Sequence, residues 1–427
     1  MIEFVTLFLG ALLTGPRSVE IMTGDAVAVV EVWLDGELEE RLDAPPWRLE
    51  VDFGPELSPH VLDAVALDAS GQELDRTRQW INMRHEPAQS SVMIEGVHRG
   101  RGAIARVSWA SLGKTDEPRS VEAYFDGQQI AAEDPRRIRL PAFDPNQTHH
   151  FRVRLDFTDS LDSEAEAIFG GVYGDEVNTE ISAVPIRFKK GRKPKTAESV
   201  QGWFLVDGVP QKVHALEKGP ARIIVVRDMA TQSYLNGLAA RRTTFTSDTR
   251  LKKHHRVEFV SACPEQIQRD EIRHLVFPRS LLYSWKDRRL LELLAKVVPA
   301  DCTPDRQLLA DAVAAAGLAA GQFGLRRVVL LIVSGESRDR SAFSPAEVIA
   351  YLEKIRVPLV VWSPGPSSGL ETEWGRATDV HDLERLRTAF DLLEKDLERQ
   401  LIVWLDGLQL PQSVELRPGV QHVTLVK

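Results

Sequence analysis

The acidic side chain best placed for chemistry is Asp228, which follows the apolar run Ala221–Val226. A carboxylate at the end of such a strand points into the crevice that opens where parallel strands splay apart. A second apolar run, Val328–Val333, ends in Ser334-Gly335-Glu336-Ser337 and offers a hydroxyl at the same kind of position. As a hydrolase nucleophile Ser334 lacks the preceding glycine of a G-x-S-x-G elbow. No H-E-x-x-H helix, P-loop or G-x-G-x-x-G fingerprint is present. The histidine pairs His149-His150 and His254-His255 are adjacent in strand-like sequence, so the members of each pair should face opposite ways, one of them in solvent. Glu394, Asp396 and Glu398 alternate with Lys395 and Arg399 on a charged helix and read as a solvated face. The cysteines, Cys263 and Cys302, have no zinc spacing and form no disulfide framework, so two buried free thiols are expected over a single bridge.

The elements that position these groups sit in an ordinary soluble-protein composition. The chain has 427 residues, enough for about three domains, with 43% hydrophobic and 27% charged residues. A net charge of −9 argues against a nucleic-acid binder. The basic clusters Lys189–Lys195 and Arg250–Arg256 read as a solvated linker and a solvated strand start. Phe4–Leu13 is an uncharged apolar run of signal-core length, without a basic start or a cleavage motif, so residues 1–14 are expected to be an exported leader, with an apolar first strand as the alternative. The rest of the chain holds no membrane-span candidate.

The front half repeats itself. Val30-Glu31-Val32-Trp33-Leu34-Asp35-Gly36 returns as Val121-Glu122-Ala123-Tyr124-Phe125-Asp126-Gly127, a strand running into a tight turn. Downstream, the segment starting at His60 aligns with the one starting at His150, where Phe151, Val153, Leu155 and Phe157 alternate with Arg152, Arg154 and Asp156 as in a strand with one buried face. A repeat of about 90 residues is the size of an immunoglobulin-like sandwich. Both segments resemble bacterial Ig-like domains with a "VExYxDG" hairpin, which implies two sandwiches, at 15–84 and 90–184, and nothing about a ligand.

In the second half, Trp203–Val213 is again strand, Asp-Gly turn, strand. Then Ala221–Val226, Arg256–Ser261, Val328–Val333 and Val357–Trp362 alternate with helical segments, the last of which starts at Ser344-Pro345-Ala346-Glu347. This pattern predicts a mostly parallel sheet covered on both faces. Arg326–Glu336, Val357–Val361 and Trp374-Gly375-Arg376-Ala377 resemble the "RRVVLLLSDGED", "VPLY" and "TGGRAF" blocks of von Willebrand factor A-type domains, in particular those of the acidobacterial VWFA-related family. The resemblance implies a doubly wound α/β domain at 220–399, after a basic linker and hairpin at 185–219 and before a β appendage at 400–427.

It also implies a metal-ion-dependent adhesion site, and the residues depart from that pattern. Asp228 takes the first aspartate position, Ala230 and Gln232 the two serine positions, and Ser334 the second aspartate position. The loop threonine falls on Gln307 or on Thr303, depending on loop length. One carboxylate is a poor match for Mg²⁺, which surrenders water reluctantly. The expectation is therefore no cofactor; if a metal binds, its ligands would be Asp228, Gln232, Thr303 and Ser334. The expected role is a non-enzymatic, extracytoplasmic protein-binding or scaffolding module of the bacterial envelope, cytoplasmic if no leader operates. Its ligand-binding rim would be Asp228, Thr231, Gln232, Ser233, Ser334, Glu336, Arg338 and Asp339. The alternatives are a metal-dependent adhesion receptor with an atypical Mg²⁺ site and an α/β hydrolase.

Overall fold

The computed structural model describes residues 2–6, 8, 12–24, 26–83, 88–97, 100–111, 117–157, 162–171, 181–189, 191–240, 255–269, 272–281, 294, 302–321, 324–334, 339–364 and 371–427. The chain divides into two compact units, Met1–His85 and Glu86–Lys427.

The first unit is a β-sandwich. One sheet runs in the order Glu37–Leu42, Val29–Leu34, His60–Leu67, Glu73–Ile81, and the other in the order Ile2–Phe4, Pro16–Thr23, Arg48–Asp52. Alternate residues such as Val30, Val32, Leu62 and Ala64 meet Val19, Leu49 and Val51 between them. The segment expected to be a leader is built into this core. Ile2, Phe4 and Leu13 are buried in it, the Phe8 N–H donates to Gln79 Oε1 at 2.7 Å, and Asn82 both accepts from the Leu13 N–H and donates to its carbonyl. Within this stretch the strand covers Ile2–Phe4, and residues 7 and 9–11 of the apolar run lie outside the described residues.

The second unit begins with a similar sandwich. Its four-stranded sheet runs Gln128–Ile130, Ser120–Phe125, His149–Asp156, Asp162–Phe169, facing a sheet of Arg137–Arg139, Ile104–Ser111 and Ala88–Glu95. The Asp-Gly turns of both modules place two successive residues at positive φ: Asp35 52° and Gly36 89°, Asp126 48° and Gly127 77°. This is the type I′ geometry that suits a twisted hairpin. In each turn the aspartate reaches a histidine on the next long strand. His60 Nδ1 lies 2.7 Å from Asp35 Oδ2, and His149 Nδ1 lies 2.8 Å from Asp126 Oδ2. The aspartates' second oxygens accept the Val61 and His150 amides. The equivalent of His60 is therefore His149, one residue before the match read from the sequence. A one-residue slip exchanges the two faces of a strand.

The segments on either side of residues 221–398 form a third sandwich together. One sheet runs Val213–Glu217, Gln400–Asp406, Ile181–Phe188, Val423–Leu425, and the other Val209–Pro210, Phe204–Val206, Val414–Leu416. Val184, Ile186, Phe204, Val213, Leu401, Val403 and Val414 share its core. The stretch read as linker and hairpin and the stretch read as appendage are thus paired strands, with Glu217 opposite Ile402. Everything from Ala221 to Glu398 is inserted between them.

The insertion carries a six-stranded sheet in the order Arg279–Leu281, Arg256–Val260, Ala221–Arg227, Arg326–Ile332, Leu359–Ser363, Thr378–Asp379. All its pairs are parallel except the Arg279–Leu281 edge. The two central strands are buried along their full length, as continuous apolar runs require. Ile223, Val225, Val328 and Leu330 share a core with Leu235 and Leu238 of helix Gln232–Ala240 and with Leu386, Phe390, Leu393 and Leu397 of helix Leu383–Glu398. The intervening residues point to the opposite face. Helix Leu309–Gly321 packs against the same two strands, and helix Pro345–Lys354 packs on that helix. At Gly317 the approach is so close that a Cβ would come 2.1 Å from Leu352 Cδ2. Helix Pro345–Lys354 starts with the expected capping box, Ser344 with Glu347. Among the described residues no helix is long and apolar enough to cross a membrane.

Candidate functional site

Asp228 ends the central strand Ala221–Arg227 and is fully buried. Its carboxylate is saturated by hydrogen-bond donors from three segments. Oδ1 accepts the Ala230 N–H at 2.9 Å and the Gln307 side-chain amide at 3.0 Å. Oδ2 accepts the Ser334 N–H at 3.2 Å and the Ser334 hydroxyl at 3.0 Å. Gln307, also fully buried, is oriented by its other end, where Oε1 accepts the Met229 N–H at 3.1 Å. Asp228 thus caps the short helical turn Met229–Thr231 and ties it to the ends of two other elements.

A divalent cation needs lone pairs directed at it. Here the oxygens of the one carboxylate receive N–H and O–H groups, and the residue at the loop-threonine position presents an amide NH₂. Among the described residues this donor set does not fit a metal ion. The buried negative charge is instead compensated by charge-assisted hydrogen bonds, which are stronger than neutral ones.

The other sequence-derived site residues are distributed as follows. Thr231 is buried, and its hydroxyl turns inward to the Asp228 carbonyl at 2.6 Å. Gln232 is half-buried and donates to Asn236 one helical turn on, and Ser233 is exposed beside it. Thr303 is exposed in the turn before helix Leu309–Gly321, its carbonyl taken by the Arg306 N–H. Gln307, not Thr303, is therefore the loop residue brought to Asp228. Glu336 and Arg338 lie outside the described residues. Asp339 is half-buried and caps helix Leu309–Gly321 from outside, accepting the Leu309 and Ala310 amides at 2.8 and 3.0 Å. That favours a negative charge at a helix N-terminus.

Asp311, in the first turn of that helix, returns the contact by accepting the Ala342 and Phe343 amides. Burial, with the Asp339 charge adding to it, raises the Asp311 pKa even against these hydrogen bonds. This reciprocal cap was not foreseen, because neither aspartate sits in a local capping motif of its own. The cysteines also differ from expectation: Cys263 and Cys302 form a disulfide with Cα atoms 5.4 Å apart. Both are half-exposed rather than buried. The bridge spans 39 residues of sequence, and its proximity is created by the sheet, not by local spacing.

At the opposite, N-terminal edge of the parallel sheet lies a buried ionic seam. Strand His149–Asp156 is buried on both faces, not one. Its charged face packs against the third sandwich and the insertion. His150 meets Glu217 at 3.2 Å, and Arg152 lies between Glu217 and Glu164 at 3.6 and 3.9 Å while donating to the Gly324 carbonyl at 2.9 Å. Burial opposes ionisation of Glu217, but Arg152 and His150 outweigh it and hold its pKa at about 2. Arg256 reaches Glu122 and Asp156, and Arg222 forks onto Glu258 at 2.7 and 2.8 Å inside the sheet. Both members of the His149-His150 pair are buried, against the expectation that one is solvated.

The helix Leu383–Glu398 is likewise not a purely solvated face. Asp396 meets Arg187 at 2.6 Å, Glu398 pairs with Lys218, and Glu394 turns to buried His255 at 3.4 Å. The ligand atoms of His255, Glu394 and Glu398 lie within 4.8 Å of one another. His255 Nδ1, however, accepts the Ala221 N–H at 3.4 Å, which leaves the proton on Nε2 facing Glu394. A cation there would have to displace that proton and Lys218 together.

No protein-family model matches the chain, and no curated protein sequence matches it. Among solved structures it is similar to fibronectin(III)-like modules of CbhA from Clostridium thermocellum, at 16% identity over 40% of this chain and 93% of that one, with a TM-score of 0.17. It is similar to the central fibronectin-III array of RIM-binding protein, at 13% identity over 47% and 82%, with a TM-score of 0.22. It is similar to proximal thread matrix protein 1 from the mussel byssus, at 11% identity over 42% and 48%, with a TM-score of 0.26. Likenesses at these scores assign the chain to no family.

Proposed function

We propose that this chain is a non-enzymatic protein-binding or scaffolding module of the bacterial cell envelope, built on a doubly wound von Willebrand A-type domain whose adhesion site works without metal. The observation that carries the reading is the saturated Asp228 carboxylate, with Gln307 and Ser334 supplying hydrogen bonds where the A-type pattern supplies ligands. The sheet's N-terminal edge is taken up by the ionic seam, with Arg326 donating to the Gly219 and Leu397 carbonyls there. The C-terminal edge, where Asp228 lies and Gln232 and Ser233 reach the surface, is the one on which a partner can dock. A disulfide fits an oxidising compartment. The hydrolase alternative is disfavoured because the Ser334 hydroxyl is donated to a carboxylate rather than to an imidazole that could take its proton.

The test is affinity capture from extracts of the native organism, with wild-type chain beside a Gln232→Glu/Ser233→Arg variant. The reading expects a partner that is retained by the wild type and lost with the variant. Identical captured proteins for both, or ester hydrolysis abolished by Ser334→Ala, would overturn it.

A further inference from the structure

The disulfide lies one short turn from the Asp228 lock. Cys263 follows the strand Arg256–Val260, and Cys302 opens the turn that delivers Gln307 five residues later. The two sides are stitched together beyond the sulfurs. The Leu308 N–H donates to the Ala262 carbonyl at 2.7 Å, and Ser261 Oγ both accepts the Cys263 N–H and donates to the Cys263 carbonyl. The turn itself has one internal backbone bond, from the Arg306 N–H to the Thr303 carbonyl, and residues 303–306 are exposed. The bridge anchors this exposed turn at one end; the other end, held by the Leu308–Ala262 and Arg340–Gln307 backbone bonds, carries a fully buried amide on a buried carboxylate.

We infer that the Cys263–Cys302 bridge is a redox-sensitive clamp on the rim: closed, it holds Gln307 on Asp228; reduced, it lets the Cys302–Leu308 turn withdraw and opens the carboxylate. The inference rests on the rim being the working surface, but the clamp can be tested without any partner. The half-exposure of both cysteines gives a dithiol reductant access. One reductant thiolate attacks a bridge sulfur to form a mixed disulfide and expels the other cysteine as a thiolate. The second reductant thiol then closes on the first, leaving two protein thiols and one oxidised reductant. Two electrons and two protons pass to the protein.

Hydrogen exchange on the full chain, oxidised or treated with dithiothreitol, reads the clamp directly. Met229 and Leu308, whose amides are bonded to Gln307 and Ala262, should exchange at least tenfold faster on reduction, while Val225 and Leu330 in the central strands stay protected. A Cys263→Ser/Cys302→Ser variant should match the reduced protein without reductant. Unchanged protection at Met229 and Leu308 would overturn the clamp. Equal loss at Val225 and Leu330 would also overturn it, because the bridge would then be holding the whole insertion together. Neither result depends on whether the rim binds a protein.

Discussion

Replacing Asp228 with alanine separates a hydrogen-bonded lock from a metal site, because the two assign opposite roles to the carboxylate in metal-free protein. In the structure, Asp228→Ala strips the acceptor from a buried backbone amide, Ser334, from a half-buried one, Ala230, and from two side-chain donors, Gln307 and the Ser334 hydroxyl. The side-chain donors can turn elsewhere; the backbone amides cannot. An orphaned buried amide costs about 1–3 kcal/mol and the half-buried one falls at the low end, so the pair should cost about 3–4 kcal/mol. For a domain of this size that is a fall of about 6–16 °C in the melting of the inserted body. Urea denaturation of the wild type and variant in chelator, followed by circular dichroism and tryptophan fluorescence, would measure it. A metal-coordinating aspartate would behave otherwise: removing it from apo protein relieves an uncompensated charge and leaves stability level or higher. A change below about 1 kcal/mol would refute the reasoning from donors.

Other expectations are spread over the fold. Burial works against the charged form of His149, but Asp126 and the Asp144 carbonyl outweigh it and raise its pKa above 6.5. Its contribution to stability should be complete below pH 6.5 and lost as pH rises through the higher folded value. Melting scans from acid to alkaline pH should show this slope in the wild type and not in Asp126→Asn. A Cβ at Gly324 would come 2.2 Å from the ring of buried Trp404, so Gly324→Ala should destabilise the second unit by about 1–3 kcal/mol in chemical denaturation. Deleting residues 2–13 removes Ile2, Phe4 and Leu13 from a core and takes hydrogen-bond partners from Gln79 and Asn82. The first unit should then lose its cooperative melting transition; an unchanged transition would mean the strand adds nothing.

What was legible in the residues was what is decided locally. The Asp-Gly turns follow from backbone conformations that Gly and Asp tolerate, and the capping box at Ser344 from a four-residue motif. The parallel strands announced themselves as continuous apolar runs. The charged face of His149–Asp156 was misread because alternation reports one apolar face and is silent on whether the other meets water. Arg152 is buried where Glu217, 65 positions away, and the Gly324 carbonyl arrive beside it from distant parts of the chain. The pairing of Glu217 with Ile402 across the insertion is set by long-range sheet formation, which no local spacing records. At the site, a serine at position 334 where the A-type resemblance expects an aspartate could be read directly. The choice between Gln307 and Thr303 could not, since it turned on a loop length that the disulfide and the Leu308–Ala262 bond settle in three dimensions.

The most direct measurement is the melting of the intact chain with chelator and with millimolar Mg²⁺ or Mn²⁺. A lock closed by Gln307 and Ser334 predicts superimposable transitions. A cation bound at 100 times its dissociation constant would stabilise the folded state by about 2.7 kcal/mol, and a shift of that size that vanishes in Asp228→Ala would contradict the account.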